Sequence, residues 1–126
     1  MGLERALVVH GQDGMDEITT TTASWAASLE NGKVSEIEIA PEEIGVKRAS
    51  MADLKGGDPA YNAAAIHKVL AGEKNAFRDI VVLNSAAALM VAGKAKDLKR
   101  GAVLAAASID GGKAAAALAT LKRICA

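Results

Sequence analysis

Two adjacent carboxylates, Asp16 and Glu17, close the segment Val8-Val9-His10-Gly11-Gln12-Asp13-Gly14-Met15-Asp16-Glu17. The apolar run Ala6 to Val9 reads as a buried strand, and the glycines at 11 and 14 mark a turn after it. The acidic pair therefore stands on the loop just past the strand's C-terminal end. In open α/β sheets, ligands bind in the crevice outside the carboxyl ends of the strands. A carboxylate pair in that position suits Mg²⁺, which takes oxygen ligands, keeps several waters and is commonly shared with substrate phosphates. An acidic surface turn with no ligand is the plain alternative. On spacing alone the plain alternative stands slightly ahead.

The other polar candidates have structural explanations ready. His10 ends the strand and would hold the glycine loop by a hydrogen bond. Asp13, between two glycines, suits a turn, which Asp tolerates well. Asp58 and Asn62 lie one helical turn apart and could face a ligand, but Asp58 also makes a good helix N-cap and Asn62 a good anchor for the loop before it. His67, between Ile66 and Lys68, reads as a surface or boundary residue. Lys94, Lys96, Lys99 and Arg100 form a basic cluster at a helix end, without the interleaved aromatics of a nucleic-acid surface.

The elements that position these residues divide into a β-rich first third and an α-rich remainder. Ala6–Val9 is apolar on both faces, the pattern of a central parallel strand. A hairpin pairs roughly residues 20–29 with 33–39 around Glu30-Asn31-Gly32, since Asn-Gly supplies the positive φ values of a tight turn. Pro41-Glu42-Glu43-Ile44 starts and finishes one helical turn, with Gly45 as its stop. Residues 46–57 read as a loop. Four helices follow: Asp58-Pro59 to about Ala71, about Ala76 to Ala92 and apolar nearly all round, about Lys96 to Asp110, and about Lys113 to Ile124. Ala63, Ile66, Val69 and Leu70 share one face of the first. A lone strand of the parallel type needs crossover-linked neighbours. Its partner strands are expected to come from residues outside the sequence or from another copy.

Composition narrows the class. With 15 basic and 15 acidic residues the formal charge is zero, so no net field draws the chain toward nucleic acid or an anionic membrane. Of its 126 residues 28 are alanine, while Trp, Tyr and Phe occur once each, so helix is favoured but the core is thin. The single cysteine, Cys125, excludes an intrachain disulfide and fits a reducing cytoplasm. Met1-Gly2-Leu3-Glu4-Arg5 lacks the pattern of a signal peptide, and Ile80–Ala92 is too short to span a bilayer.

The chain resembles the C-terminal part of the anthranilate phosphoribosyltransferase family. His10-Gly11-Gln12-Asp13-Gly14-Met15-Asp16-Glu17 is similar to that family's His-Gly-x-Asp-Gly-Leu-Asp-Glu segment, and Ile39-Ala40-Pro41-Glu42-Glu43-Ile44-Gly45 to its Ile-x-Pro-Glu-Asp-x-Gly stretch. Leu54-Lys55-Gly56-Gly57-Asp58, Asn62-Ala63, Leu70-Ala71-Gly72-Glu73, Arg78-Asp79 and Leu83-Asn84-Ser85-Ala86-Ala87-Ala88-Leu89 follow in the family's order. The departure is at Thr19–Trp25, where the family more often has Gly-Pro after the threonines. The family's glycine-rich Gly-Thr-Gly-Gly-Asp loop, its His-Gly-Asn segment and the arginine associated with anthranilate have no counterpart here.

The resemblance implies an α/β fold, the C-terminal portion (residues 1–126) of a phosphoribosyltransferase or nucleoside-phosphorylase type catalytic domain whose substrate-binding part lies upstream. It implies Mg²⁺ held by Asp16 and Glu17 in a complete, cytoplasmic, homodimeric enzyme that joins anthranilate to phosphoribosyl pyrophosphate in tryptophan biosynthesis. The segment by itself would be inactive. A related nucleoside phosphorylase, or a non-catalytic nucleic-acid-binding homologue, is the alternative; zero net charge and the intact Asp-Glu pair weigh against the latter.

Overall fold

The computed structural model describes residues 2–125 as a three-stranded sheet followed by four α-helices. The strands are β1 (Arg5–Gly11), β2 (Ser24–Glu30) and β3 (Lys33–Ile39), in the order β1-β2-β3. The hairpin forms where Asn-Gly demands it: Asn31 and Gly32 take φ values of 52° and 73°, and Glu30 pairs with Lys33.

β1 departs from its expected environment. It runs antiparallel to β2 over its full length, from Arg5 opposite Glu30 to Gly11 opposite Ser24. Its residues also alternate rather than being buried on both sides. Leu7 and Val9 pack with Ala26, Ile37 and Ile39 against the core, while Val8 points the other way and is 71% exposed. Trp25 and Val34 are likewise exposed. An apolar residue on the outer face makes the run look doubly buried in sequence. Among the described residues, the partner strand of β1 is β2 of the hairpin, antiparallel to it.

The helices are α1 (Pro59–Leu70), α2 (Ala76–Val91), α3 (Leu98–Asp110) and α4 (Lys113–Ile124). Side chains cap three of them: Asp58 accepts from Tyr61 N at 2.8 Å, Asn75 from Arg78 N at 2.9 Å and Asp97 from Arg100 N at 2.7 Å. The cap at Asp97 starts α3 at Leu98, two residues later than the sequence suggests. A capping box between Ser50 and Asp53 adds a short 3₁₀ turn, Met51–Leu54, inside the stretch expected to be loop.

α2 is the centre of the core, with Leu83 and Ala86 fully buried against Ile18, Ile39, Ala102 and Ala105. It is not apolar-buried all round, because Val81 is 42% exposed. α3 crosses it at Gly101, where a Cβ would stand 2.6 Å from the Ala86 carbonyl oxygen. Only a residue without a side chain lets the two backbones approach so closely. Arg78, buried at the start of α2, donates from Nη2 to Asp110 at the end of α3 at 3.0 Å. Its Nη1 lies 2.9 Å from the other carboxylate oxygen without hydrogen-bond alignment, so the Nη2 bond carries the pair. Among the described residues, no single helix is long and apolar enough to cross a membrane.

Candidate metal centre

The loop after β1 is built around Asp13. Its carboxylate accepts from Met15 N at 3.1 Å, from Thr19 Oγ1 at 2.7 Å and from Thr21 Oγ1. Gly11 N donates to Met15 O at 2.9 Å, which folds the turn back on the end of the strand. Gly11 is required by this knot: a Cβ there would lie 2.5 Å from Asp13 Oδ1 and 3.1 Å from Thr19 Cγ2. Burial pushes the Asp13 carboxyl up, but the hydrogen bonds from Thr21, Thr19 and Met15 outweigh it and hold the group below its ordinary range. Asp13 is thus the turn former expected from its position.

Asp16 and Glu17 follow directly. Asp16 is exposed and Glu17 half-buried. Burial, and then the neighbouring charge of Asp16, push the Glu17 carboxyl above its ordinary value. Among the described residues, no lysine, arginine or histidine pairs with either. Nor do they belong to any cluster of three metal-ligating side chains. Two carboxylates without a cation are a donor set that fits Mg²⁺, which is commonly held by one or two carboxylates and completes its shell with water and substrate oxygens. The same pair could not close a structural zinc site, which needs four ligands.

The remaining candidates stand apart. His10 is exposed and faces away from the core beside Trp25. Its side chain makes no hydrogen bond among those of the described residues, so the expected tie to the glycine loop is absent. Its strand position explains this: it alternates with Val9 and Gly11, which face inward. Asn62 anchors the loop before α1, accepting from Gly57 N and donating to Gly57 O, both at 2.9 Å. Asp58 caps the same helix. No hydrogen bond or ion pair among the described residues connects Asp58, Asn62 or His67 with the acidic loop. In the basic cluster, Lys96 lies 3.9 Å from Asp97 and all four residues are exposed, but the cluster straddles the loop before α3 and its first turn instead of marking a helix C-terminus. A cleft of about 750 Å³ is lined by Arg5, Asn31, Gly93 and neighbours at the opposite end of β1 from the acidic pair.

One residue of the loop's support is not singled out by sequence reasoning. Asn84 of α2 accepts from Ile18 N at 3.0 Å and donates to Ile18 O at 2.8 Å. The available signal is a carboxamide interrupting an apolar helix; its partner is 66 positions away.

Residues 1–115 match the family model described as glycosyl transferase family, a/b domain, and the chain belongs to that family. Within it, the chain is 54% identical over 121 residues to the anthranilate phosphoribosyltransferase of Methylocella silvestris, covering 96% of this chain and 35% of that protein. To the enzyme of the same name from Parvibaculum lavamentivorans it is 57% identical over 121 residues, 96% of this chain and 36% of the relative. The anthranilate phosphoribosyltransferase structure from Thermus thermophilus superposes with a TM-score of 0.78 at 39% identity, over 87% of this chain and 32% of that one. That of the Saccharomyces cerevisiae enzyme in complex with PRPP and Mg gives 0.82 at 21% identity, over 89% and 32%, a likeness of fold alone. The chain spans about a third of the length of these relatives.

Proposed function

We propose that this chain forms the metal-binding, C-terminal part of the catalytic domain of an anthranilate phosphoribosyltransferase. The observation that carries the reading is identity of 54–57% with transferases of that name, sustained over 121 residues. In the reaction, the anthranilate amine forms a bond to C1 of the ribose, the C1–O bond to pyrophosphate breaks, and the amine gives up a proton. Asp16 and Glu17 would hold Mg²⁺, whose positive charge would offset the charge that collects on the departing pyrophosphate.

For this chain's own residues the task is binding and orientation. Asp16 and Glu17 offer carboxylate oxygens beyond the end of β1, and Asp13 with its threonines keeps the turn that presents them. No general base from this chain enters the scheme. Among the described residues nothing replaces a glycine-rich phosphate loop: Gly56-Gly57-Asp58 precedes a helix, but Asn62 occupies the backbone N–H and carbonyl of Gly57 and no strand leads into the run. The donor's grip and the anthranilate pocket therefore belong to the rest of the enzyme, which we take to be a cytoplasmic homodimer with neither nucleic acid nor membrane as partner.

The test places the segment in a complete transferase polypeptide, for example in place of the matching region of the Parvibaculum lavamentivorans enzyme. With anthranilate, phosphoribosyl pyrophosphate and Mg²⁺, anthranilate fluorescence should fall with time. The chain by itself should leave it unchanged. Turnover by the chain alone, or none by a folded complete polypeptide, would contradict the proposal.

A further inference from the structure

We infer that Asn84 is a positioning residue for the acidic pair, an inference that rests on the metal reading of Asp16 and Glu17. The loop is fixed at both sides of the pair. On one side Met15 is held through its N–H by Asp13 and through its carbonyl by Gly11. On the other, a single carboxamide matches both backbone groups of Ile18, accepting its N–H at 3.0 Å and donating to its carbonyl at 2.8 Å. Between these two anchored residues lie only Asp16 and Glu17. Their backbone has little room to wander, so the carboxylates are presented before any ligand arrives.

The location of Asn84 argues for the same role. It sits beside Leu83, a fully buried side chain of α2, on the helix at the centre of the core. Asn84 is itself half-buried, and the part of its amide withdrawn from water is costly unless it is hydrogen-bonded. Asn84 directs its second donor to Ile80 O at 3.0 Å, so three of its four hydrogen-bonding positions are used. Ile18, 1% exposed, has no other partner for its N–H or carbonyl among the hydrogen bonds of the described residues, and an apolar residue at 84 would leave both orphaned. The register of β1 with β2 ends at Gly11 and Ser24, with one further bond from Gln12 N to Ala23 O at 3.0 Å; Asn84 ties the far side of the loop.

The test uses the complete transferase polypeptide and two readouts. In the parent, amide hydrogen exchange should be slow at Ile18 and fast at Asp16 and Glu17; exchange at Ile18 as fast as at its two neighbours would overturn the inference without any variant. The second readout is binding of Mn²⁺, in the presence of phosphoribosyl pyrophosphate, followed by electron paramagnetic resonance. Asn84→Leu, chosen to keep the volume in the core, should weaken Mn²⁺ binding about 10-fold, the lower end of what loss of a group supporting metal ligands costs. Turnover at saturating metal and donor should be largely recovered, a split that mere loss of folded protein would not produce. Glu17→Gln is the control for the metal reading. Parent-like Mn²⁺ binding by Asn84→Leu beside weakened binding by Glu17→Gln overturns the positioning role and leaves the metal reading standing. Parent-like binding by Glu17→Gln overturns both.

Discussion

Replacing Asp13 by Asn tests whether the loop is held by charge. The change keeps size and shape, and the remaining Oδ1 can still accept from Met15 N. What it removes is the carboxylate oxygen that accepts from both Thr19 and Thr21. A hydrogen bond to a charged group contributes about 1.5–3 kcal/mol, but both hydroxyls share one oxygen in a partly exposed site. A loss of about 2 kcal/mol at neutral pH follows. The pH dependence carries the sharper test. Asp13 is held below its ordinary value in the folded chain, so its contribution is present above the unfolded pKa near 3.8 and is lost as pH falls through the lower, folded value. Urea melts of parent and variant at neutral pH and in the acid range give a double difference in which the other carboxylates cancel. The gap between the two proteins should close as pH falls below about 4. A gap of the same size at both pH values would show that the carboxylate charge does not hold the knot.

Three further outcomes follow from packing and cofactor demand. Leu83→Ala empties a fully buried site and should cost ~2–5 kcal/mol, whereas half-buried Leu89→Ala should cost clearly less; equal shifts in thermal melts would remove the distinction. Gly101→Ala gains about 1 kcal/mol of helix propensity, but its Cβ meets rigid backbone at 2.6 and 2.8 Å in Ala86, so the net change should be destabilising by about 1–3 kcal/mol. A variant as stable as the parent would mean that α2 and α3 separate at little cost. Removing divalent cations from the complete polypeptide with a chelator should abolish turnover, and added Mg²⁺ should restore it; undiminished turnover would count against the metal.

The features legible in sequence are those whose cause is local. Asn31-Gly32 sets the hairpin, Pro41 and Gly45 bracket one helical turn, and Asp58-Pro59 open α1, because each acts through its own φ or its own side chain. The acidic pair is legible in the same way, as neighbours after a strand and a glycine turn. Legibility ends where long-range packing decides. Val8 is as apolar as Val9, yet one faces outward and the other the core, and only the pairing with β2 settles which. The Ser50–Asp53 capping box is present in sequence but stands in a stretch without apolar periodicity to draw attention to it. Asn84 shows as a polar interruption in α2; that it grips Ile18 depends on how α2 packs, which no local pattern encodes.

The most direct test of the account is a Mg²⁺ titration of steady-state turnover by the complete polypeptide and its Asp16→Asn and Glu17→Gln variants, with folding verified by circular dichroism. Both positions lie on a surface loop, so the variants should fold as the parent does. Loss of one charged ligand should reduce turnover at fixed donor and Mg²⁺ by ~10–100-fold, using metal-site perturbations as the scale, with part of the loss recovered at high Mg²⁺. Parent-like Mg²⁺ dependence and rate in both variants would show that Asp16 and Glu17 are an acidic surface turn and nothing more.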